Sequence, residues 1–364
     1  MTNKLDLSTE AVLETAIHFD NVLSENAQSP TAIFLTGATG FFGAYLLDEL
    51  LHKTTADIYC LIRSKEGSEA GKQRIEAHLR AYLLWKDEFS ARIIPVIGDL
   101  SLPLYGLSSE TFSELAERID VIYHNGAWVN AAYPYAALKA SNVGGTVETL
   151  RLAGLHRTKP LHFISTIAVF FNEACQEGNQ KILETDSPQP NLNGGYKQSK
   201  WVAENLVIKA RERGLPACIY RTARIMGHSK TGVTQNFNDF LISMIKMCIQ
   251  IGKFPDWNNT LSLVPADYAA QSLVYLAQQT ASIGKTFHIL NPQAVAWDDF
   301  FEHIRDCGYP LEKVSHLCWQ TEIQAYANEN KDSKLYSLAR LVLKSSTARH
   351  ESFGHSMYSF VSVE

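Results

Sequence analysis

Short apolar runs rich in β-branched and aromatic residues recur along the chain, and between them apolar positions return every three or four residues. The runs predict strands at 32–36 (AIFLT), 57–63 (DIYCLIR), 92–98 (RIIPVIG), 120–125 (DVIYHN), 161–166 (LHFIST), 217–222 (ACIYRT) and 285–290 (KTFHIL). The longer period predicts helices at 42–53, 71–85, 141–154 and 196–214, the last stopped by Gly214 and Pro216. Strand and helix alternate, and nearly continuous apolar strands must be covered on both faces. The expectation is an α/β fold, a Rossmann-like doubly wound parallel sheet.

After Arg221 the pattern changes. A polar stretch at 228–240 precedes an apolar, helix-forming one at 241–254, which predicts a smaller, mostly helical C-terminal substrate lobe. The expected division is a lead-in at 1–30, a nucleotide-binding domain at 31–226 with a return at 262–292, and a lobe from 227–261 and 293–364.

At 364 residues and 46% hydrophobic content the chain can bury both cores, and a net charge of -5 without a long basic run argues against nucleic acid. No 18 uncharged apolar residues run together and the N-terminus lacks a signal-peptide core, so no membrane partner and a soluble, cytoplasmic setting are expected. The six cysteines form no CxxC pair, and no cluster has metal-ligand spacing.

Candidate chemistry begins where the first predicted strand meets the first helix. TGATGFFG places Gly37, Gly40 and Gly43 at that junction, where glycine lets backbone approach a diphosphate and the helix N-terminus stabilises it. Gly37, Thr39, Gly40, Phe41, Phe42 and Gly43 are therefore candidate dinucleotide contacts. At the end of the second strand stands Arg63, where an NAD-selective site presents an acid. A guanidinium there grips a 2′-phosphate, which favours NADPH, with Arg74 or Lys72 as a second cation. Asp99 and Leu100, and Asn125, Gly126 and Ala127, end the third and fourth strands on the same crevice. His124 reads as structural.

Tyrosine followed four residues later by lysine occurs at 82/86, 135/139, 196/200 and 309/313, so spacing alone selects none. Only Tyr196 and Lys200 open a helix directly after a strand ending in a hydroxyl, Thr166. A phenol that donates a proton, an ammonium that favours phenolate, and a hydroxyl that orients a carbonyl form a set for carbonyl reduction.

With these residues in this order, the chain from Thr31 to Pro292 resembles the extended short-chain dehydrogenase/reductases. More narrowly, residues 122–146, 164–170, 194–207 and 227–256 resemble the thioester reductase domains that end nonribosomal peptide and polyketide assembly lines, and their carboxylic acid and aminoadipate reductase relatives. The resemblance implies that NADPH reduces an acyl or peptidyl thioester on a phosphopantetheinylated carrier protein to an aldehyde, in some members to an alcohol. It also implies Thr166, Tyr196 and Lys200 as catalytic residues, and Asn142 as a support for their hydrogen-bond geometry. RTARIMG, at 221–227, departs from the family in lacking a proline after its arginine. A nucleotide-sugar epimerase or dehydratase, and a non-catalytic NADPH-binding scaffold or sensor, stand as alternatives.

Overall fold

The computed structural model describes residues 5–130, 133–171, 182–234, 239–258 and 260–331, with residues 336, 339, 340 and 343. Cys175, residues 235–238 of the polar stretch and the C-terminal 344–364 lie outside them.

Seven strands form one sheet: β1 (Ala32–Thr36), β2 (Asp57–Ile62), β3 (Ile93–Ile97), β4 (Val121–His124), β5 (Leu161–Thr166), β6 (Ala217–Thr222) and β7 (Thr286–Ile289). They lie in the order β3-β2-β1-β4-β5-β6-β7, with every neighbouring pair parallel. The principal helices are α1 (Phe41–Lys53), α2 (Ser68–Ala81), α3 (Ser109–Arg118), α4 (Gly145–Gly154), α5 (Gly195–Glu212), α6 (Phe240–Ile251), α7 (Ala266–Ala277), α8 (Trp297–Asp306) and α9 (His316–Glu329).

Side chains alternate along a strand, so each strand feeds two cores. Phe34, Ile122, Phe163 and Ile219 pack on one face with residues of α3, α4 and α5. Ile33, Leu35, Ile58, Tyr123 and Tyr220 pack on the other with residues of α1, α2 and α7. A third core gathers Met244, Met247, Phe254, Trp297, Phe301 and Trp319 from α6, α8, α9 and the strand Lys253–Pro255. The lead-in joins the first core through Leu7, Leu13, Ile17 and Phe19. Arg213, just past α5, ties it down by donating to the carbonyls of Leu13 (2.8 Å), Glu14 (2.6 Å) and Ile17 (2.8 Å).

Two local expectations need correction, and one short strand had no counterpart among them. The helix expected to reach residue 85 stops at Ala81, because Leu83 turns left-handed (φ 61°) and Tyr82 folds back against Tyr45 and Phe41. Arg224–Met226 is a short strand paired with Leu263–Pro265, hidden in the sequence because its partner lies some forty residues on. The helix expected at 141–154 begins with a π turn, Ala140–Gly144, before α4.

Candidate active site

The sheet order reverses between β1 and β4, and in such folds ligands enter the crevice beyond the carboxyl ends of those strands. Here that crevice is shaped by missing side chains. Gly37 has φ +76°, and a Cβ on it would lie 2.8 Å from Gly126 Cα. One on Gly43 would lie 1.9 Å from the Gly37 carbonyl oxygen. The loop is thus folded onto α1 and against the end of β4. Thr36 Oγ1 accepts from the Gly126 N–H (2.8 Å), and Asn125 Nδ2 donates to the Gly37 oxygen (3.3 Å). Gly40 caps α1 without a side-chain acceptor, so the first-turn N–H groups face the crevice without a side-chain cap. Thr39 and Phe41 are half-buried beside it, and Phe42 is buried. A glycine cradle at an uncapped helix start fits a dinucleotide diphosphate.

Arg63 and Arg74 are both exposed past the end of β2, and Arg74 Nη1 donates to the Arg63 carbonyl (2.8 Å). Lys72 is half-buried on α2. Asp99 accepts from Ser101 N (2.9 Å) and Oγ (2.7 Å). Burial pushes its carboxyl up, and those bonds with the nearby Arg63 charge outweigh this, leaving the pKa lowered. Leu100 lies against Gly126 and Gly145, whose own Cβ would come within 2.4 Å of Leu100 Cγ. Ala127 is half-buried beyond Gly126. His124 is buried between Thr36 (2.8 Å), Thr146 (3.0 Å) and Thr149 (3.2 Å), the structural position expected of it.

The start of α5 is clasped at two points, to β5 and to the turn that follows it. Lys200 Nζ donates to the Ile164 carbonyl (2.7 Å) and lies 4.3 Å from the Phe163 ring centroid. Lys197 Nζ donates to the Phe171 carbonyl (3.0 Å), beyond the 3-10 turn Ile167–Phe170 that Thr166 caps. Tyr196 precedes both lysines on the helix, so the clasp brings it to the end of β5 where Thr166 stands. Thr166 Oγ1 accepts from the Ala168 N–H (3.2 Å), which leaves its hydroxyl proton available to a ligand.

Two glycines make this approach possible. Gly194 sits at φ +93°, and a Cβ on Gly195 would lie 2.4 Å from the Tyr133 oxygen and the Tyr135 nitrogen. Asn142 closes the arrangement from the π turn. Its Oδ1 accepts from Trp128 N (2.6 Å), and its Nδ2 donates to the Trp128 carbonyl (3.2 Å) and to Ser199 Oγ (2.9 Å). Ser199 donates in turn to the Tyr196 carbonyl (2.9 Å).

The other Tyr/Lys pairs have different work. Tyr135 and Lys139 both hold Glu10 of the lead-in, at 2.9 and 2.6 Å. Tyr82 is buried against Tyr45, and Lys313 pairs with Asp256 and Asp298.

Electrostatics refine the expectation for Tyr196. Burial pushes its hydroxyl up to about 12, and the charge that opposes this is that of Arg224. Lys200 is itself pushed down to about 8 by burial, against a pull upward from Glu204. Arg224, which Asp239 holds at 3.1 and 2.9 Å, carries no signal in the sequence, because only tertiary structure brings it to Tyr196. Glu204 left a visible signal, an acid among Trp201, Val202, Ala203 and Leu206. Among the described residues no group of three His, Cys, Asp or Glu is arranged to hold a metal, and no helix is long and apolar enough to cross a membrane.

Residues 35–273 match the sequence model of an NAD-binding family described as male sterility protein. The chain is 44% identical over 328 residues to part of the linear gramicidin synthase of Brevibacillus parabrevis, covering 90% of this chain and 6% of that protein. It is 33% identical to L-2-aminoadipate reductase of Saccharomyces cerevisiae, covering 88% of this chain and 24% of that one. The terminal R domain of the myxalamid PKS-NRPS pathway superposes with TM-score 0.89 at 39% identity, covering 98% of this chain and 88% of that one. The chain thus spans a small part of its curated relatives and most of a solved reductase domain.

Proposed function

Because the chain belongs to the NAD-binding family described as male sterility protein, we propose that it is a thioester reductase. In this reading it releases an acyl or peptidyl group from the phosphopantetheine arm of a carrier protein as an aldehyde, which a second reduction can take to the alcohol. The observation that supports the proposal is that Lys200 ties the start of α5 to β5 and Lys197 ties it to the turn that follows β5, so that the helix turn bearing Tyr196 lies toward the carboxyl end of the sheet. Its likeness to a solved terminal reductase domain over nearly its whole length supports the same reading.

NADPH, when bound, supplies the hydride. Gly37, Gly40, Gly43 and the start of α1 would hold its diphosphate, Arg63 with Arg74 the 2′-phosphate, and Asp99 and Leu100 the adenine side. Asn125, Gly126 and Ala127 would line its path, and Lys200 would serve the nicotinamide ribose hydroxyls. Thr166 turns its free hydroxyl proton to the thioester carbonyl oxygen and orients it. As that oxygen gains negative charge, Tyr196 donates a proton to it, and Arg224 restores part of the acidity that burial withholds. The C–S bond of the resulting hemithioacetal breaks to leave the aldehyde, and the departing pantetheine sulfur takes up the hydroxyl proton to leave as the thiol.

The test follows cofactor oxidation with an acyl-pantetheine thioester, using NADPH and NADH, and in parallel follows product formation from a nucleotide sugar, whose epimerisation or dehydration consumes no cofactor. The proposal expects turnover of the thioester with NADPH. Folded protein that binds NADPH yet reduces no thioester would overturn it, and turnover of the sugar alone would mark an epimerase or dehydratase.

A further inference from the structure

Helix α5 presents Tyr196, Lys200 and Glu204 at successive intervals of four, so all three share one face. The last residues of β5 meet that face in order. Ile164 accepts from Lys200 through its carbonyl (2.7 Å), Ser165 Oγ donates to Glu204 Oε2 (2.5 Å), and Thr166 ends the strand. Glu204 is 0% exposed, too deep to reach a substrate. Arg221 on β6, 2% exposed, donates to its Oε1 through Nε (3.0 Å) and Nη2 (2.8 Å). The guanidinium is fixed in turn by the carbonyls of Glu184 (3.2 Å) and Asp186 (3.1 Å), by His288 Nε2 (3.3 Å), and by the Phe170 ring 4.7 Å away.

We propose that Glu204 is a positioning residue of the reaction: the buried carboxylate that keeps Lys200 an ammonium against the end of β5, itself held in place by Ser165 and Arg221. This rests on the reading of Tyr196 and Lys200 as the reducing site.

A buried ammonium loses most of its hydration, and a carboxylate one helical turn away restores part of that loss. Each element packed against Lys200 can be checked for a competing charge. Its own helix offers Tyr196 and Glu204. From β4 comes His124, which burial, with the Lys200 charge adding, pushes down to about 3, so it is neutral. The end of β5 presents hydroxyls and a carbonyl, and β6 presents Arg221 behind Glu204. Among these groups Glu204 is the sole anion. It pulls Lys200 upward against burial, which otherwise drives the amine toward its neutral form. A neutral amine would not bind ribose hydroxyls as a cation.

The experiment reads Lys200 directly, by carbon NMR of the full chain labelled at lysine Cε, with the Lys200→Arg variant assigning the signal. Wild type is expected to titrate near 8. Glu204→Gln keeps the shape and removes the charge, and should lower the midpoint by about 1 unit or more. The basic limb of the pH–rate profile should move the same way. Should that variant not fold, Glu204→Gln with Arg221→Met removes the pair together and should lower the midpoint by less, since a cation leaves with the anion. Ser165→Ala, which keeps the carboxylate, should leave the midpoint in place. A midpoint unmoved in either folded charge-removing variant, with rates depressed equally at all pH values, would overturn the proposal and reduce Glu204 to a structural role. The titration needs no substrate, so a failure to reduce thioesters would count against the proposed function and not against this inference.

Discussion

Tyr196→Phe isolates the proton. The variant keeps the ring and both lysine anchors of α5, so cofactor affinity should change little while kcat/KM falls by about 10²–10⁴. Steady-state kinetics paired with a fluorescence titration of NADPH separates the two effects, and an unchanged rate would remove Tyr196 from its role. In the proposed function Arg63 would carry the cofactor choice. Arg63→Ala deletes a charge-assisted bond to the 2′-phosphate and should weaken NADPH binding by roughly 1.5–3 kcal/mol while NADH binding stays put. Equal losses for both cofactors would contradict its assignment. Thr166, Tyr196 and Lys200 are legible as candidates because a strand end and a helix period mark their positions. Arg224 and Lys197 are not, because their partners are a phenol and a carbonyl that the fold alone brings near.

At the scale of elements, the sheet was legible because its strands are buried on both faces and so appear as unbroken apolar runs. β1, β5 and β6 have the limits expected of them, and β2, β3, β4 and β7 are shorter by a residue at one or both ends. What stayed hidden was set by distant partners, as in the strand Arg224–Met226 and the turn that ends α2 at Ala81. The junction of β1 and α1 makes the sharpest prediction. Gly43→Ala would put a methyl 1.9 Å from the Gly37 oxygen, which backbone cannot absorb in place. The variant should lose NADPH binding, measured by calorimetry, and melt earlier. Wild-type affinity would show that the loop is not held as described.

Across the whole molecule, burial of histidine links stability to pH. His124 and His162 are pushed down to about 3, and His288 to about 4, chiefly by burial. A histidine in the unfolded chain titrates near 6.5, so below that value the unfolded state binds more protons than the folded one. The stabilisation is complete above about pH 6.5 and is lost as pH falls toward the folded values, at up to about 1.4 kcal/mol per unit for each histidine. Urea unfolding at pH 7.5, 6 and 5 should show this decline. His162→Phe, which keeps the stack on Tyr123, should flatten it; an unchanged slope would place the acid sensitivity elsewhere.

These scales meet in one reaction, and one measurement addresses it most directly: the product released from a carrier-bound acyl thioester under NADPH deuterated at the transferring position. The account predicts release of an aldehyde, or the alcohol derived from it, with deuterium on the former carbonyl carbon and release lost in Tyr196→Phe. Release of the free acid without deuterium, or retention of the thioester by protein with NADPH bound, would contradict it.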